Sequence, residues 1–256
     1  MSTPTRAATF RERLRRGDRL LGTFVKTPHP AIVEVLGHAP LDCLCLDAEH
    51  APFDRSSLDT AILAARATDM PVLARVANSA PSQILAVLDL GATGVLVPHV
   101  ASADVAKAAA AACRYGPGGR GYAGSTRAAA YGTRTMEENL SRARGEVVVV
   151  AQIEDAESLN EIDEIAAVDG IDALFIGRMD LTVSLGATSS DDARVIDAVQ
   201  QICVAAHRHG RAIGMFTPTV EESHRWFDAG ATFFLLGSEQ QWILQGARAM
   251  RQSFGK

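Results

Sequence analysis

Charged and amide side chains collect where short apolar runs stop. The run from Cys43 to Leu46 ends in Asp47-Ala-Glu49-His50, and Val72 to Ala74 ends in Arg75. Further runs end in Val97-Pro98-His99, in Gln152-Ile-Glu154-Asp155 and in Ile176-Gly177-Arg178-Met179-Asp180. Cys43, Cys45 and Asp47 alternate, so on a strand they share a face, as do Gln152 and Glu154. Glu154 and Asp180 close consecutive runs with no lysine near them in sequence. Two carboxylates side by side repel unless a cation sits between them, and oxygen-only ligation suits Mg²⁺ or Mn²⁺. The competing reading is that one of the two caps a helix or pairs with Arg178. His50 follows Asp47 by three residues; a carboxylate beside an imidazole fixes its tautomer and raises its basicity, which makes a general base. Arg75, buried at a strand end, needs an anionic partner. That partner is an anionic ligand, a developing oxyanion, or the carboxylate of Asp47 or Glu49. His99 also stands at a strand end, with its role open.

These residues work together only if the fold brings the run ends to one place. Eight short apolar runs read as strands, at residues 21–25, 42–47, 72–76, 93–98, 147–154, 173–177, 212–216 and 232–237. Helical periodicity fills 57–68, 82–90, 103–114, 156–167, 191–209, 220–229 and 239–251. Gly91, Gly170, Gly210 and Gly230 each follow a helical stretch, where a left-handed cap is wanted. The strands are apolar on both faces, as parallel strands under helices must be. Eight β/α units over residues 1–256 predict a single-domain TIM (β/α)8 barrel, whose chemistry sits at the carboxyl ends of its strands; a doubly wound open sheet is the runner-up. One connection, from Arg114 to Glu146, is far longer than such a barrel needs, and long loops are usually functional or disordered.

Composition narrows the function. With 25 basic and 30 acidic side chains the 256-residue chain carries a net charge of −5, and aromatics are 5% of it. This speaks against nucleic-acid and anionic-membrane partners. No apolar stretch reaches the roughly 18 residues of a membrane span. Cys43, Cys45, Cys113 and Cys203 form no CxxC pair, which fits reduced core cysteines in a cytoplasmic protein. Arg6, Arg11, Arg13, Arg15 and Arg16 belong to a short helix over the barrel bottom, since Glu12 and Asp18 break the charge pattern of a targeting segment. Gly119-Arg-Gly121-Tyr-Ala-Gly124 matches GxGxxG but follows a helix, so it fails the context of a dinucleotide site. A Schiff-base mechanism needs a lysine at a strand end; of Lys26, Lys107 and Lys256 only Lys26 is near one, and the sequence shows it no acid partner.

The motifs as a set resemble the metal-dependent (class II) 2-oxo-acid aldolases of the 4-hydroxy-2-oxoheptanedioate and 2-dehydro-3-deoxyglucarate aldolase type, within the citrate lyase β-subunit-like superfamily. The matching pieces are Leu21-Gly-Thr-Phe, Asp47-Ala-Glu49-His50-Ala51-Pro52, Pro71-Val-Leu-Ala-Arg75-Val, Leu88-Asp-Leu-Gly91-Ala, Leu96-Val-Pro98, Arg114-Tyr-Gly-Pro117-Gly-Gly-Arg120-Gly121, Gln152-Ile-Glu154 and Ile176-Gly177-Arg-Met-Asp180-Leu181. They span about residues 9 to 250. The resemblance implies that Glu154 and Asp180 ligate Mg²⁺ or Mn²⁺, with Co²⁺ a further option. It implies that Gln152 hydrogen-bonds substrate or metal-bound water, that Arg75 contacts the keto oxygen, and that His50 with Asp47 is the base. The backbone from Gly177 through Met179 and Asp180 would cradle the pyruvate carboxylate at a helix start. The substrate would be a 4-hydroxy-2-oxo acid, cleaved to pyruvate and an aldehyde. The assembly would be a homohexamer whose last helix, with Gln241-Trp242-Ile243-Leu244, packs on a neighbour.

Two features depart from the pattern. Many members carry Pro and a small residue where this chain has Arg178-Met179, so Arg178 is expected to meet an acidic substrate tail or crowd it out. The glycine-rich loop adds Ser125 and Arg127 as candidate substrate contacts. The rival readings are a CoA-thioester carbon–carbon lyase, a metal-independent condensing enzyme, and a barrel that binds a 2-oxo acid without turnover.

Overall fold

The computed structural model describes residues 5–255. Eight strands form its centre: β1 (Leu20–Val25), β2 (Cys43–Asp47), β3 (Val72–Arg75), β4 (Gly94–Val97), β5 (Val148–Ile153), β6 (Ala173–Ile176), β7 (Ala212–Thr217) and β8 (Phe233–Ser238). Each pairs in parallel with the next, and β8 returns to β1 with Leu20 opposite Phe233, so the sheet closes into a barrel. The expected TIM barrel is the fold, and every strand lies within about one residue of its sequence-based bounds. Among the described residues the helices are α1 (Arg6–Arg16), α2 (Pro30–Gly37), α3 (Arg55–Ala67), α4 (Pro81–Asp89), α5 (Ala103–Ala112), α6 (Met136–Glu146), α7 (Ile162–Ala167), α8 (Arg178–Ser184), α9 (Ala193–Arg208), α10 (Val220–Phe227) and α11 (Glu239–Phe254). None is long and apolar enough to cross a membrane.

Strand alternation sorts the apolar side chains into two cores. Cys43, Cys45, Leu73, Leu96, Val148, Val150, Phe175, Phe233 and Leu235 fill the barrel interior. Leu44, Leu46, Ala74, Val95, Val97, Val149, Ala151, Leu174 and Ile176 point outward under the helices. All four cysteines are free and buried. Because Cys43 and Cys45 face inward, Asp47, on the same strand face, is carried to the carboxyl end of the barrel.

The amino end is plugged by α1. Thr5 caps it, Gly17 ends it in the left-handed conformation, and Phe10 and Leu14 join the interior core. Its arginines are structural. Buried Asp172 accepts Arg11 Nε at 2.9 Å, Arg15 Nε at 2.6 Å and the Val149 amide at 2.9 Å, with Arg114 at 3.7 Å. Gly91, Gly170, Gly210 and Gly230 all have positive φ, but α7 ends in an extended Val168, so Gly170 serves the turn beyond that helix and not its cap.

The long connection joins α5 to β5, and α6 occupies its second half. It lies on the outside of the helical ring. Arg120 pairs with Asp89 at the end of α4, the Ala128 amide donates to the Asp89 carbonyl, and Arg127 donates to the Asp59 and Leu90 carbonyls. Ser125 lies exposed in a turn of this connection, two residues before Arg127. Arg127 spends its guanidinium on Asp59 at 2.6 Å.

Candidate active site

The mouth is assembled by strand register. Asp47 and Arg75 are the last residues of β2 and β3 and are paired directly. Arg75 donates Nε to Asp47 Oδ1 at 3.0 Å and Nη2 to Oδ2 at 2.8 Å, a bidentate fork. Its Nη1 lies 3.2 Å from Glu49, and its guanidinium stacks 4.6 Å from the Phe24 ring centre. Burial disfavours the charged Asp47, but the guanidinium outweighs it and holds the carboxyl below the ordinary range. Lys26 Nζ lies 3.5 Å from Asp47 Oδ2, so the acid partner that the sequence did not show for Lys26 is Asp47.

This geometry alters the expected base pair. Asp47 Oδ1 accepts the backbone amide of His50 at 3.0 Å, not its ring. The three-residue spacing makes a tight turn in which the carboxylate caps the following amide. The His50 ring is more than half exposed at the mouth, with Nε2 3.7 Å from Glu49 Oε2. The structure thus joins Asp47 to Arg75 and places the His50 imidazole beside Glu49.

Glu154 follows β5 by one residue and is 2% exposed. Its Oε1 accepts the His99 amide at 2.9 Å, and its Oε2 accepts Gln152 Nε2. Gly177 backs it closely: a β-carbon there would lie 2.7 Å from Glu154 Oε2 and 3.1 Å from Gln152 Nε2. Burial pushes the Glu154 carboxyl above its ordinary value against the opposing pull of His99.

His99 is the residue whose role the sequence left open, and the structure gives it neighbours. It adopts φ +53°, a conformation uncommon outside glycine. Its Nδ1 is 3.2 Å from Asp155 and 3.5 Å from Glu154, and its Nε2 is 3.6 Å from Glu49 Oε1. Burial works against its protonation, yet Glu154, Asp155 and Glu49 together hold the imidazole above its ordinary value. Glu49, His99 and Glu154 bring donor atoms within 4.8 Å of one another, as a metal site requires. The sequence offered Glu49 only as a partner for Arg75, which it is at 3.2 Å, and not as a member of this group, although it sits inside the Asp-x-Glu-His motif.

Gly177 caps α8, which opens with Arg178, Met179 and Asp180. Met179 and Asp180 are exposed, and the Asp180 carboxylate has no hydrogen bond or ion pair among the described residues. It stands outside the Glu49–His99–Glu154 group. Arg178 turns away from the mouth, pairing with Glu222 of α10 and lying 5.1 Å from the Trp226 ring centre. It is 7% exposed and makes its ion pair between helices. A long apolar and guanidinium surface is best covered there by an aromatic face and an acid.

The profile of the HpcH/HpaI aldolase/citrate lyase family matches residues 20–245. The chain belongs to that family. It is 35% identical over 251 residues to a hydroxypyruvate/pyruvate aldolase of Paraburkholderia phytofirmans, covering 95% of this chain and 96% of the relative. It is 32% identical over 238 residues to a 5-keto-4-deoxy-D-glucarate aldolase of Klebsiella pneumoniae, covering 92% of each. The structure of a family member from Burkholderia cenocepacia superposes with a TM-score of 0.92 at 30% identity, over 97% of this chain and all of that one. This membership, over a mouth of acids, arginine and histidines, makes the chain a carbon–carbon lyase of the class II aldolase kind.

Proposed function

We propose that the chain cleaves, or in reverse forms, the C3–C4 bond of a 4-hydroxy-2-oxo acid, giving pyruvate and an aldehyde, with a divalent cation held at Glu154. The carrying observation is Glu154 itself, a buried carboxylate at a strand end surrounded by groups that are only partly satisfied. Gln152 Oε1 is buried without a hydrogen-bond partner, Glu49 Oε2 has only its ion pair with Arg75 at 3.2 Å, and Glu49, His99 and Glu154 converge within 4.8 Å. Such a donor set fits a cation.

Asp180, unpaired at the start of α8, is the second carboxylate that the family resemblance offers. Mg²⁺ or Mn²⁺, or Co²⁺, would suit the carboxylate pair. When bound, the cation acts as a Lewis acid that polarises the 2-oxo group and lowers the barrier to forming the enolate.

The chain's own groups do the rest. Arg75, held rigid by Asp47 and Phe24, presents fixed positive charge to the oxygen on which negative charge develops. Asp47 is on this reading a positioning residue for Arg75. The His50 ring, free of Asp47 and open to the mouth, takes the proton from the C4 hydroxyl and returns one to the enolate carbon. Gln152 orients Glu154 by donating Nε2 to it. The amides of Met179 and Asp180, at the start of α8, receive the substrate carboxylate, with Gly177 allowing close approach.

The last helix leaves Ile243, Leu244, Met250 and Phe254 exposed, which suits packing on another subunit; the hexamer follows from the resemblance. A cytoplasmic location accords with the free buried cysteines.

Cleavage of 4-hydroxy-2-oxo acids by metal-stripped and metal-restored protein tests the proposal. Glu154→Gln should need far more metal for the same rate, and His50→Ala should lose turnover with modest loss of pyruvate affinity. Full activity of both variants at the same metal concentration would refute it.

A further inference from the structure

His99 lies outside the two-carboxylate ligand set, yet its surroundings are those of a ligand. Its Nδ1 is 3.2 Å from Asp155 and 3.5 Å from Glu154, so that nitrogen is the one held by carboxylates. A carboxylate on one imidazole nitrogen fixes the tautomer so that the other nitrogen carries a free lone pair, as metal-bound histidines commonly have it. That other nitrogen, Nε2, faces Glu49 Oε1 at 3.6 Å. The His99 amide meanwhile binds Glu154 Oε1, so backbone and ring of one residue address both acids of the group. An independent observation points the same way. The Glu49 side chain is only 10% exposed and is ion-paired through Oε2 to Arg75 at 3.2 Å, which leaves Oε1 to face His99. A surface ion pair between His99 and Asp155 does not explain the second ring nitrogen turned toward Glu49.

We propose that His99 Nε2 is a nitrogen donor to the cation, joined by Glu49 and Glu154, so that this site favours borderline transition metals such as Co²⁺ over Mg²⁺. The chemistry is that of ligand type. Mg²⁺ prefers oxygen donors and gains little from an imidazole, whereas Co²⁺ gains substantially. The inference rests on the metal reading above and is separable from it.

The test compares wild type, His99→Gly and Glu154→Gln, each metal-stripped, by calorimetric titration with Co²⁺ and with Mg²⁺ and by the visible absorption of bound Co²⁺. Glycine accepts the φ of +53° without strain and keeps the amide that binds Glu154, so only the ring is lost. His99→Asn, which also tolerates that conformation, is the second variant. The expected result is a loss of about 10- to 100-fold in Co²⁺ affinity for His99→Gly, with a changed Co²⁺ spectrum and Mg²⁺ affinity within about 3-fold of wild type. Equal losses for both metals, or no loss for either, would overturn the assignment of His99 while leaving the cation site in place. Unchanged affinities in Glu154→Gln, or no binding of either metal by wild type, would overturn the site itself.

Discussion

Replacing Gly177 with alanine should disable the site without removing any polar group. Gly177 has φ −83° and ψ 71°, an inverse γ-turn conformation that alanine can also enter, so the backbone is not the main obstacle. The cost is steric. The added carbon would stand 2.8 Å from Glu154 Cβ and 2.7 Å from Glu154 Oε2, against 3.4 Å for ordinary contact. The carboxylate, or the start of α8, must therefore move by about 0.6 Å in a region as densely packed as a crystal. Overpacking of this kind costs about 1–3 kcal/mol, or roughly 2–12 °C in Tm for a chain of this length. A misplacement near 1 Å at a reacting centre costs about 10²-fold, so kcat/KM should fall about 10- to 100-fold, with weaker metal binding. Gly214→Ala is the control. Its carbon would meet Phe175 at 2.7 Å and Phe233 at 2.8 Å in the interior core, a similar clash at residues that carry no site group. The assay is aldol cleavage with a metal titration, beside thermal melts of both variants. Gly214→Ala should lose stability and keep its metal affinity. A Gly177→Ala protein with kcat/KM and metal affinity within twofold of wild type would refute the placement of Glu154 at the centre of the site.

Two further outcomes probe the scaffold. Asp172→Ala strands Arg11 under the barrel and removes the acceptor of the Val149 amide, so stability should fall by about 3–5 kcal/mol in chemical denaturation; a loss under 1 kcal/mol would mean that α1 is not docked as described. Burial pushes the Cys113 thiol up to about 12 and the Cys203 thiol up to about 11, while Cys43 and Cys45 are also raised within the barrel. A thiol reagent at pH 8 should find no reactive cysteine in native protein and four in guanidinium chloride; rapid native labelling would contradict the interior placement.

The barrel was legible because its signals are local and repeated. Apolar runs mark all eight strands, glycines of positive φ precede β4, β6, β7 and β8, and the strand ends carry the site. Shorter or irregular elements were not. Residues 30–37 and 178–184 form α2 and α8, each too short to show a helical period. α6 lay inside a stretch read as loop, although Thr135 and Glu138 spell a reciprocal cap. The 156–167 stretch is helical, but its first half winds as a 3₁₀ helix at Ala156–Glu161.

At the site, residue types were readable and partners were not. The sequence placed Asp47, His50 and Arg75 at one mouth, but three dimensions decide that Asp47 serves Arg75 and the His50 amide. Arg178 follows a strand end and still points between α8 and α10, because the first turn of a helix can swing a long side chain to the outside. His99 looked like any histidine at a strand end. Its left-handed backbone, which turns the ring toward Glu49 and Glu154, leaves no trace in residue spacing.

The most direct measurement is exchange of the pyruvate C3 protons in D₂O, followed by NMR, on protein stripped of metal and then restored with Mg²⁺, Mn²⁺ or Co²⁺. It needs no aldehyde and reads enolate formation alone. The account predicts slow exchange in stripped protein, restoration by metal, and loss of the restored rate in Glu154→Gln. Exchange that is equally fast in stripped protein, or undiminished in that variant, would contradict a metal-assisted enolate at Glu154.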